Sequence, residues 1–207
     1  PAPLRVPGVV EDDARGRGFL YVIGTDEAGR GCLAGPVQAA AVALPVDRRI
    51  PGVDDSKALT DETRTALVPI IHEASLSWSL DQASAGEVDR VNVLQASLAA
   101  MTRAVSRVWD PLIAGGVPGD RVLVVVDGPY GLPRWSACPQ RAVVDGDALS
   151  VAIAAASVLA KVHRDRCMEA LALEFPGYAW ERNKGYGTRA HLEGLAALGV
   201  TPHHRRT

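Results

Sequence analysis

The 207-residue chain lacks most features that mark exported, membrane-bound or disulfide-stabilised proteins. Its three cysteines are an odd number without C-x-x-C spacing, which argues against a disulfide framework and against a zinc knuckle. No apolar run reaches the roughly eighteen residues that a membrane span needs. The N-terminus lacks the basic, apolar and small-residue order of a signal peptide. We therefore expect a soluble protein of the reducing cytoplasm with no membrane partner.

The chain also lacks a large excess of positive or negative charge. The formal net charge of −2 gives no general attraction to phosphate, so any nucleic acid must be held by a local patch. Basic residues do outnumber acidic ones between positions 182 and 206, although a solvated basic tail would have the same composition. Neither a G-x-G-x-x-G motif nor P-loop spacing occurs, which argues against a small-molecule enzyme that cradles a nucleotide.

Apolar patterning predicts a mixture of helices and strands. Runs of β-forming residues predict strands at 19–24, 37–44, 75–80 and 121–126, the first two joined as a hairpin by a glycine-rich turn. Helical spacing or alanine-rich composition predicts helices at 60–74, 92–112, 148–175 and 188–198. The length and order fit one α/β domain, a sheet flanked by helices, over residues 19–207. Residues 1–18 are predicted to be a flexible extension.

Four acidic residues stand at the ends of these predicted elements. Asp26 and Glu27 follow the first strand, Asp127 ends the 121–126 strand, and Asp147 precedes the long alanine-rich helix. If the two strands are neighbours, their acids gather at one edge of the sheet. Clustered carboxylates repel one another unless a cation is present, and oxygen ligands without His or Cys favour Mg²⁺ or Mn²⁺. Such ions serve phosphodiester hydrolysis.

Each acid also has a simpler interpretation. Asp147 would cap the following helix, Asp127 would belong to an Asp-Gly turn, and Glu27 would be a solvated loop charge. An acid at a strand end is common in loops without a function. The metal hypothesis therefore depends on whether several acids converge.

Five ordered sequence blocks resemble one known family. They are Gly24-Thr-Asp-Glu-Ala-Gly-Arg-Gly31 with Leu33-Ala-Gly-Pro-Val37, Asp55-Ser-Lys-Ala-Leu-Thr60, Val126-Asp-Gly128, Gly146-Asp147 leading into the helix segment 154–165, and Lys184-Gly-Tyr-Gly-Thr188 running to His204-Arg-Arg206. In order and spacing they resemble the type 2 ribonucleases H, in particular bacterial ribonuclease HII. The resemblance extends from about residue 19 to the C-terminus.

The resemblance implies a ribonuclease H-like catalytic domain with a mixed five-stranded sheet. It implies a monomeric endonuclease that uses two Mg²⁺ or Mn²⁺ ions on RNA/DNA hybrids and on single ribonucleotides embedded in duplex DNA, as in ribonucleotide excision repair. Such an enzyme cuts on the 5′ side of the ribonucleotide and leaves 3′-hydroxyl and 5′-phosphate ends. The family's catalytic, metal-binding acids correspond to Asp26, Glu27, Asp127 and Asp147.

The resemblance also implies contacts with the substrate. The backbone of Gly29, Arg30 and Gly31 would contact the ribose 2′-hydroxyl, and glycine suits such a close approach. Tyr186 would stack on the sugar of the next nucleotide; taken alone, it fits a packed turn residue equally well. Candidate phosphate contacts, each with a solvated side chain as the alternative, are Lys57, Lys161, Lys184 and Arg189.

Two departures and two competing functions accompany the resemblance. Cys32 stands where the family often has proline, and Asn183 stands where many members have histidine. The same fold would also suit a type 1 ribonuclease H or a resolvase-like nuclease, which needs the acids but not the glycine turn or the block around Tyr186. A catalytically silent nucleic-acid-binding module is the other alternative.

Overall fold

The computed structural model describes residues 8–53 and 59–207. The helices in these ranges are α1 Val9–Gly16, α2 Asp61–Ala74, α3 Ala85–Val91, α4 Val93–Ala114, α5 Val151–Glu174, α6 Trp180–Asn183 and α7 Arg189–Leu198. The strands are β1 Tyr21–Ala28, β2 Val37–Pro45, β3 Ser77–Ala83, β4 Val122–Asp127 and β5 Gln140–Val143. Every predicted helix and strand is present within a few residues of its expected bounds. Across these two ranges, no helix is long and apolar enough to cross a membrane.

The strands form one mixed sheet in the order β3-β2-β1-β4-β5. β1 pairs antiparallel with β2, as the predicted hairpin requires, and β2 pairs antiparallel with β3. β4 lies parallel to both β1 and β5. The predicted five-stranded α/β architecture is thus confirmed, and β1 and β4 are neighbours whose carboxyl ends share one edge.

Helices cover both faces of the sheet. α1, α2 and α5 pack on one face, and α4 packs on the other. The approach of β1 to α5 is especially close, because a Cβ atom at Gly24 would lie 2.2 Å from the backbone carbon of Ala152. Only glycine permits this contact. The contact places the end of β1 beside the start of α5, where the predicted acids Asp26 and Asp147 lie.

The prediction of a flexible extension is wrong for residues 8–18. α1 buries Val10 and Ala14 in the core at 3% and 0% exposure. The buried Glu11 accepts hydrogen bonds at Oε1 from Ser150 Oγ at 2.6 Å and from the Ala152 amide at 3.1 Å. The sequence Glu11-Asp12-Asp13 suggested solvation, but one of these acids satisfies the N-terminus of α5. Residues 1–7 lie outside the described residues.

Short elements were missed by the sequence patterns. These are β5, α3 and α6, with four, seven and four residues. Segments of this length contain too few apolar positions to establish a period. The long helix also begins later than expected, because Ser150 accepts from the Ile153 amide and caps α5.

Candidate active site

The acids Asp26 and Asp127 extend from adjacent parallel strands. The last paired residues of β1 and β4 are Thr25 and Val126, so Asp26 and Asp127 follow directly at the same edge. Asp26 is 6% exposed, and its Oδ1 accepts from the Glu27 amide at 2.7 Å. The expectation that the two strands bring their acids together is therefore met.

Burial, together with like charge, disfavours ionised carboxylates at this edge. Burial, followed by repulsion from Asp127 and Glu27, holds the pKa of Asp26 well above its ordinary value, although a hydrogen bond from Ser157 opposes the shift. Burial also raises the pKa of Glu27, while the Arg30 guanidinium, 3.0 Å from Glu27 Oε1, partly compensates. Folding has thus placed the carboxylates of Asp26 and Glu27, beside that of Asp127, where their negative charge is unfavourable.

The simpler interpretations of these acids do not fit the structure. The Glu27 side chain is only 8% exposed, so it is not a solvated loop charge. Asp127 Oδ1 accepts from the Gly146 amide at 2.8 Å, a contact between distant segments rather than a local turn. Asp147, 4% exposed, lies in a 3-10 turn and does not cap α5. The Gly146 contact ties the segment of Asp147 to Asp127.

The carboxylates at this edge have the chemistry that a hard divalent cation prefers, although three of them do not converge on one point. Carboxylate oxygens without His or Cys are the ligands of Mg²⁺ and Mn²⁺. In the part of the chain described, no three His, Cys, Asp or Glu side chains converge closely enough to hold one ion. Mg²⁺ usually keeps several waters and takes only one or two carboxylates from a protein, so the acids at the ends of β1 and β4 fit such an ion without a third side chain.

The glycine turn lies against a buried arginine. Gly29 has φ +95°, and a Cβ atom there would lie 2.2 Å from Arg164 Nε. Arg164 is 1% exposed; it donates to the Pro36 carbonyl, and its Nη2 donates to the carbonyls of Ala34 at 3.1 Å and Lys184 at 3.0 Å. One side chain of α5 thus holds the turn after β1 and the segment before Tyr186 together.

A cleft of about 450 Å³ unites several predicted residues. It is lined by Glu27, Ala28, Gly29, Arg64, Ser157, Lys161, Arg164 and Tyr186. Tyr186 is 47% exposed, so its ring presents a free face. A Cβ atom at Gly31 would lie 3.9 Å from the Tyr186 ring, which places the glycine turn directly beside it. An acid, the glycine turn and the tyrosine therefore share one concave surface.

The predicted basic residues divide into different environments. Lys161 lines the cleft, and its Nζ lies 2.6 Å from both carboxylate oxygens of Asp165. Lys184 does not line the cleft; its side chain is 14% exposed, and its Nζ donates to the Glu181 carbonyl at 2.7 Å. Arg189, 92% exposed, pairs with Glu193 on α7. Lys57 lies outside the described residues.

Four cleft residues were not among the predicted site residues. They are Ala28 of β1, Arg64 of α2, and Ser157 and Arg164 of α5. A signal was available for the α5 residues, because Ser157, Lys161 and Arg164 recur at helical spacing and form a polar stripe on an alanine-rich helix. No comparable pattern marks Arg64.

The two departures from the family pattern both lie next to Tyr186. Cys32 is buried at 5% exposure, and its thiol, after burial, contributes to raising the pKa of the Tyr186 hydroxyl. Asn183 donates through Nδ2 to the Tyr178 carbonyl at 2.7 Å and accepts at Oδ1 from the Gly185 amide at 2.9 Å. Asn183 therefore shapes the backbone that leads into Tyr186.

The mixed sheet order β3-β2-β1-β4-β5, with helices on both faces, is that of the ribonuclease H-like fold. Solved structures support this assignment of the fold. The crystal structure of ribonuclease H2 from Pyrococcus horikoshii OT3 superposes with a TM-score of 0.71 at 24% identity, covering 90% of this chain and 92% of that one. A structure of Bst-RNase HIII in complex with Mn²⁺ gives 0.70 at 21% identity, covering 90% and 65%.

Sequence comparison identifies the particular family. The model of the family described as Ribonuclease HII matches residues 23–207. The Ribonuclease HII of Sphingopyxis alaskensis is 50% identical over 184 residues, which cover 89% of this chain and 86% of that relative. The chain therefore belongs to the ribonuclease HII family. Membership makes the protein a ribonuclease H endonuclease, a hydrolase of phosphodiester bonds.

Proposed function

We propose that the protein cuts on the 5′ side of a ribonucleotide, both in RNA/DNA hybrids and at single ribonucleotides embedded in duplex DNA, and that it leaves 3′-hydroxyl and 5′-phosphate ends. The observation that carries this proposal is the shared cleft, in which Glu27, Gly29 and Tyr186 line one surface. The acidic side chains that would carry out hydrolysis thus lie beside a surface that can distinguish ribose from deoxyribose. Such an enzyme would serve ribonucleotide excision repair.

We propose that Asp26, Glu27, Asp127 and Asp147 hold two divalent ions, Mg²⁺ or Mn²⁺. Support comes from the raised pKa values of Asp26 and Glu27, which arise from burial and from like charge that a cation would compensate. When bound, such ions supply an activated water and compensate charge on the leaving oxygen. The protein's own part is to hold the carboxylates at the ends of β1 and β4 and before α5.

We propose that the backbone of Gly29–Gly31 recognises the ribose 2′-hydroxyl. The turn begins two residues after Glu27 in the chain, and Arg164 fills the space behind Gly29. A deoxyribose would leave the polar groups of the turn unpaired, at a cost of about 1–3 kcal/mol, and would misplace the phosphate relative to the acids. Tyr186 would stack on the neighbouring sugar, and Lys161 would contact a phosphate.

The test compares three duplexes that differ at one position. One carries a ribonucleotide, one a 2′-deoxynucleotide and one a 2′-O-methyl nucleotide, each with and without Mg²⁺ or Mn²⁺. Only the first should be cut, directly before the ribonucleotide and only with metal. Both ions should also raise the melting temperature of the wild type more than that of Asp26→Asn, which is a readout of binding independent of activity.

The competing functions give different results in the same test. Binding of the duplex without cleavage, at any metal concentration, would indicate a silent binding module. A requirement for several consecutive ribonucleotides would indicate a type 1 ribonuclease H. Equal cleavage of the all-DNA duplex would overturn the proposed role of the 2′-hydroxyl.

A further inference from the structure

Two buried histidines lie beneath the segment that carries Tyr186. His191 belongs to α7 and is 0% exposed, and His204 belongs to the C-terminal segment and is 4% exposed. Their Nε2 atoms are 3.0 Å apart. We refer to these two residues as the histidine pair. Neither lines the cleft, and the proposed chemistry does not use them.

The partners of His191 fix the position of its proton. Its Nδ1 lies 2.9 Å from the Tyr186 carbonyl oxygen, which can only accept, so Nδ1 carries the hydrogen and donates. The Trp180 indole N–H can only donate, and it donates to His191 Nε2 at 3.0 Å. Nε2 is therefore the unprotonated acceptor, and His191 is neutral.

The partners of His204 fix the opposite tautomer. Its Nδ1 accepts from the Thr201 amide at 2.9 Å, so its hydrogen lies on Nε2 and points at His191 Nε2, whose single lone pair it shares with the Trp180 indole N–H. A second proton on His191 would leave Nε2 facing two donors, those of Trp180 and His204. One directed chain of hydrogen bonds thus leads from Thr201 through the histidine pair to the Tyr186 carbonyl.

The C-terminal segment that carries His204 also holds the glycine turn. Arg205 donates through Nη1 to the Arg30 carbonyl at 2.9 Å, and its amide donates to the Leu33 carbonyl at 2.8 Å. The Gly35 amide donates to the His203 carbonyl at 2.9 Å. The two candidate substrate loops therefore rest on one common support.

We propose that His191 is a positioning residue: its Nδ1–H holds the Tyr186 backbone, and Trp180 and His204, which both direct a donor at Nε2, fix the tautomer that makes this Nδ1–H available. The inference rests on the proposed function, since it concerns the role of Tyr186 on the substrate. Its physical basis is that Tyr186 stands between Gly185, at φ +87°, and Gly187. The Gly185 carbonyl accepts from the Leu33 amide at 2.9 Å, and the Tyr186 carbonyl also accepts from the Thr188 amide at 2.8 Å. His191 adds the bond that ties the Tyr186 carbonyl to a buried side chain of α7, which further limits where the ring lies.

Two substitutions of His191 separate positioning from packing. In His191→Asn, the amide nitrogen replaces Nδ1 and still donates to Tyr186, but the acceptor for Trp180 and His204 is lost. In His191→Gln, the amide oxygen replaces Nε2 and keeps that acceptor, but the donor to Tyr186 is lost. His191→Gln should raise KM for a singly ribosubstituted duplex about tenfold, with a smaller change in kcat, as expected for one lost hydrogen bond.

The two variants should rank oppositely in activity and in stability. His191→Asn should raise KM less than His191→Gln although it melts at a lower temperature, because it leaves two buried donors unpaired. If packing alone mattered, the variant with the larger glutamine would have both the lower KM and the higher melting temperature. That result would overturn the inference. Leu192→Asn, at a 51% exposed position of the same helix, is the control and should change neither value.

Further measurements distinguish failure of this inference from failure of the proposed function. Nitrogen-15 NMR should find the hydrogen of His191 on Nδ1 and that of His204 on Nε2 at neutral pH; other tautomers would overturn the inference. If Tyr186→Ala leaves KM unchanged, the proposed function of Tyr186 fails. If Tyr186→Ala raises KM but the two His191 variants behave alike, only the positioning role fails. His191→Gln should add nothing to KM in the Tyr186→Ala background.

Discussion

The acid edge, formed by Asp26, Glu27 and Asp127, and the support beneath the glycine turn and Tyr186 are built in opposite ways. At the acid edge, the side chains of Asp26 and Glu27 are buried beside like charges, and the pKa values of these two residues are raised. In the support, Arg164 and Arg205 donate to backbone carbonyls of several segments, and the histidine pair completes a directed chain. Like charge also occurs in the support, where burial, followed by repulsion from Arg164, lowers the pKa of Arg205 to about 10. The regions differ in what compensates the charge: backbone carbonyls accept from both arginines in the support, whereas a ligand would have to neutralise the acid edge.

This contrast gives each region its own mutational behaviour. Removing a charge from the acid edge should destroy activity and raise stability, since a repulsion disappears along with a ligand. Removing a contact from the support should lower stability and weaken recognition together. Substitutions in the two regions test that distinction, and those at the acid edge should change cleavage most.

Asp26→Asn should have the largest effect on cleavage. Even changing a neighbour of a metal ligand commonly costs 10–100-fold, so loss of a ligand should cost at least about a hundredfold. Because the folded-state pKa of Asp26 is raised, the metal-free wild type should lose stability as pH rises from the ordinary aspartate pKa through the raised one. The variant should lack the contribution of Asp26 to this loss, keep that of Glu27, whose pKa is also raised, and melt higher at neutral pH. Cleavage assays and metal-free thermal unfolding across this pH range provide the measurements.

Asp145→Asn provides the matched control for that experiment. Asp145 is an exposed acid two residues before Asp147, and its side chain makes no capping hydrogen bond. Its φ of 53° suits asparagine as well as aspartate. The control should leave cleavage and melting temperature unchanged. Near-normal activity of Asp26→Asn at saturating Mg²⁺ would remove Asp26 from the metal site.

Gly29→Ala should damage the support and the site together. The new methyl group would combine a strained backbone at φ +95° with a clash at 2.2 Å against Arg164 Nε. Gly116→Ala is the matched control, since Gly116 has φ +91° and a methyl group added there would meet nothing within 4 Å. Both should show the backbone strain of about 1–3 kcal/mol. Only Gly29→Ala should show a further loss of about 1–3 kcal/mol from overpacking, measured by chemical denaturation. Equal losses would mean that Arg164 moves aside freely.

The sequence allows the acid edge to be predicted but not the support. Asp26 and Asp127 follow apolar runs that are recognisable as strands, so their meeting requires only that two strands be neighbours. The contacts of Arg164 are with carbonyls 128 and 130 positions away, and carbonyls have no residue identity to recognise. The hydrogen bond from His191 to the Tyr186 carbonyl is unpredictable for the same reason, because its acceptor is also a backbone carbonyl. Lys184 belongs to a block that suggested a phosphate contact, and this stays a prediction; in the fold its Nζ donates to the Glu169 carboxylate at 2.5 Å and to the Glu181 carbonyl at 2.7 Å, contacts that the block does not indicate.

Lys161→Ala and Lys184→Ala test the difference between the cleft and its support more finely. Lys161 lines the cleft, so its loss should weaken duplex binding and reduce the slope of log affinity against log salt by about one. Lys184→Ala should leave the salt slope unchanged and lower the melting temperature, because its Nζ holds the Glu181 carbonyl. A reduced slope in both variants would indicate that Lys184 also contacts a phosphate. Binding titrations at several salt concentrations give the answer.

The smallest expected effect is a pH dependence of stability from His204. Burial, followed by repulsion from His191 and His203, lowers the pKa of His204, so the fold favours the neutral ring. The titratable side chains that contact it are those two histidines' rings and Tyr178, whose hydroxyl donates to the Gly199 carbonyl. A lowered histidine pKa contributes stability that is present above the ordinary value of about 6.5 and is lost as pH falls towards the folded value.

His204→Gln removes that titration while keeping a donor at the position of Nε2. The wild type should therefore lose more melting temperature than the variant between neutral pH and pH of about 5, even if the variant is less stable overall because the Thr201 amide loses its acceptor. Other histidines with lowered pKa values, His72 and His163, are present in both proteins and cancel in the difference. If the melting temperatures of the two proteins fall by the same amount as the pH is lowered, His204 does not contribute to the pH dependence of stability in this range, and the prediction is wrong.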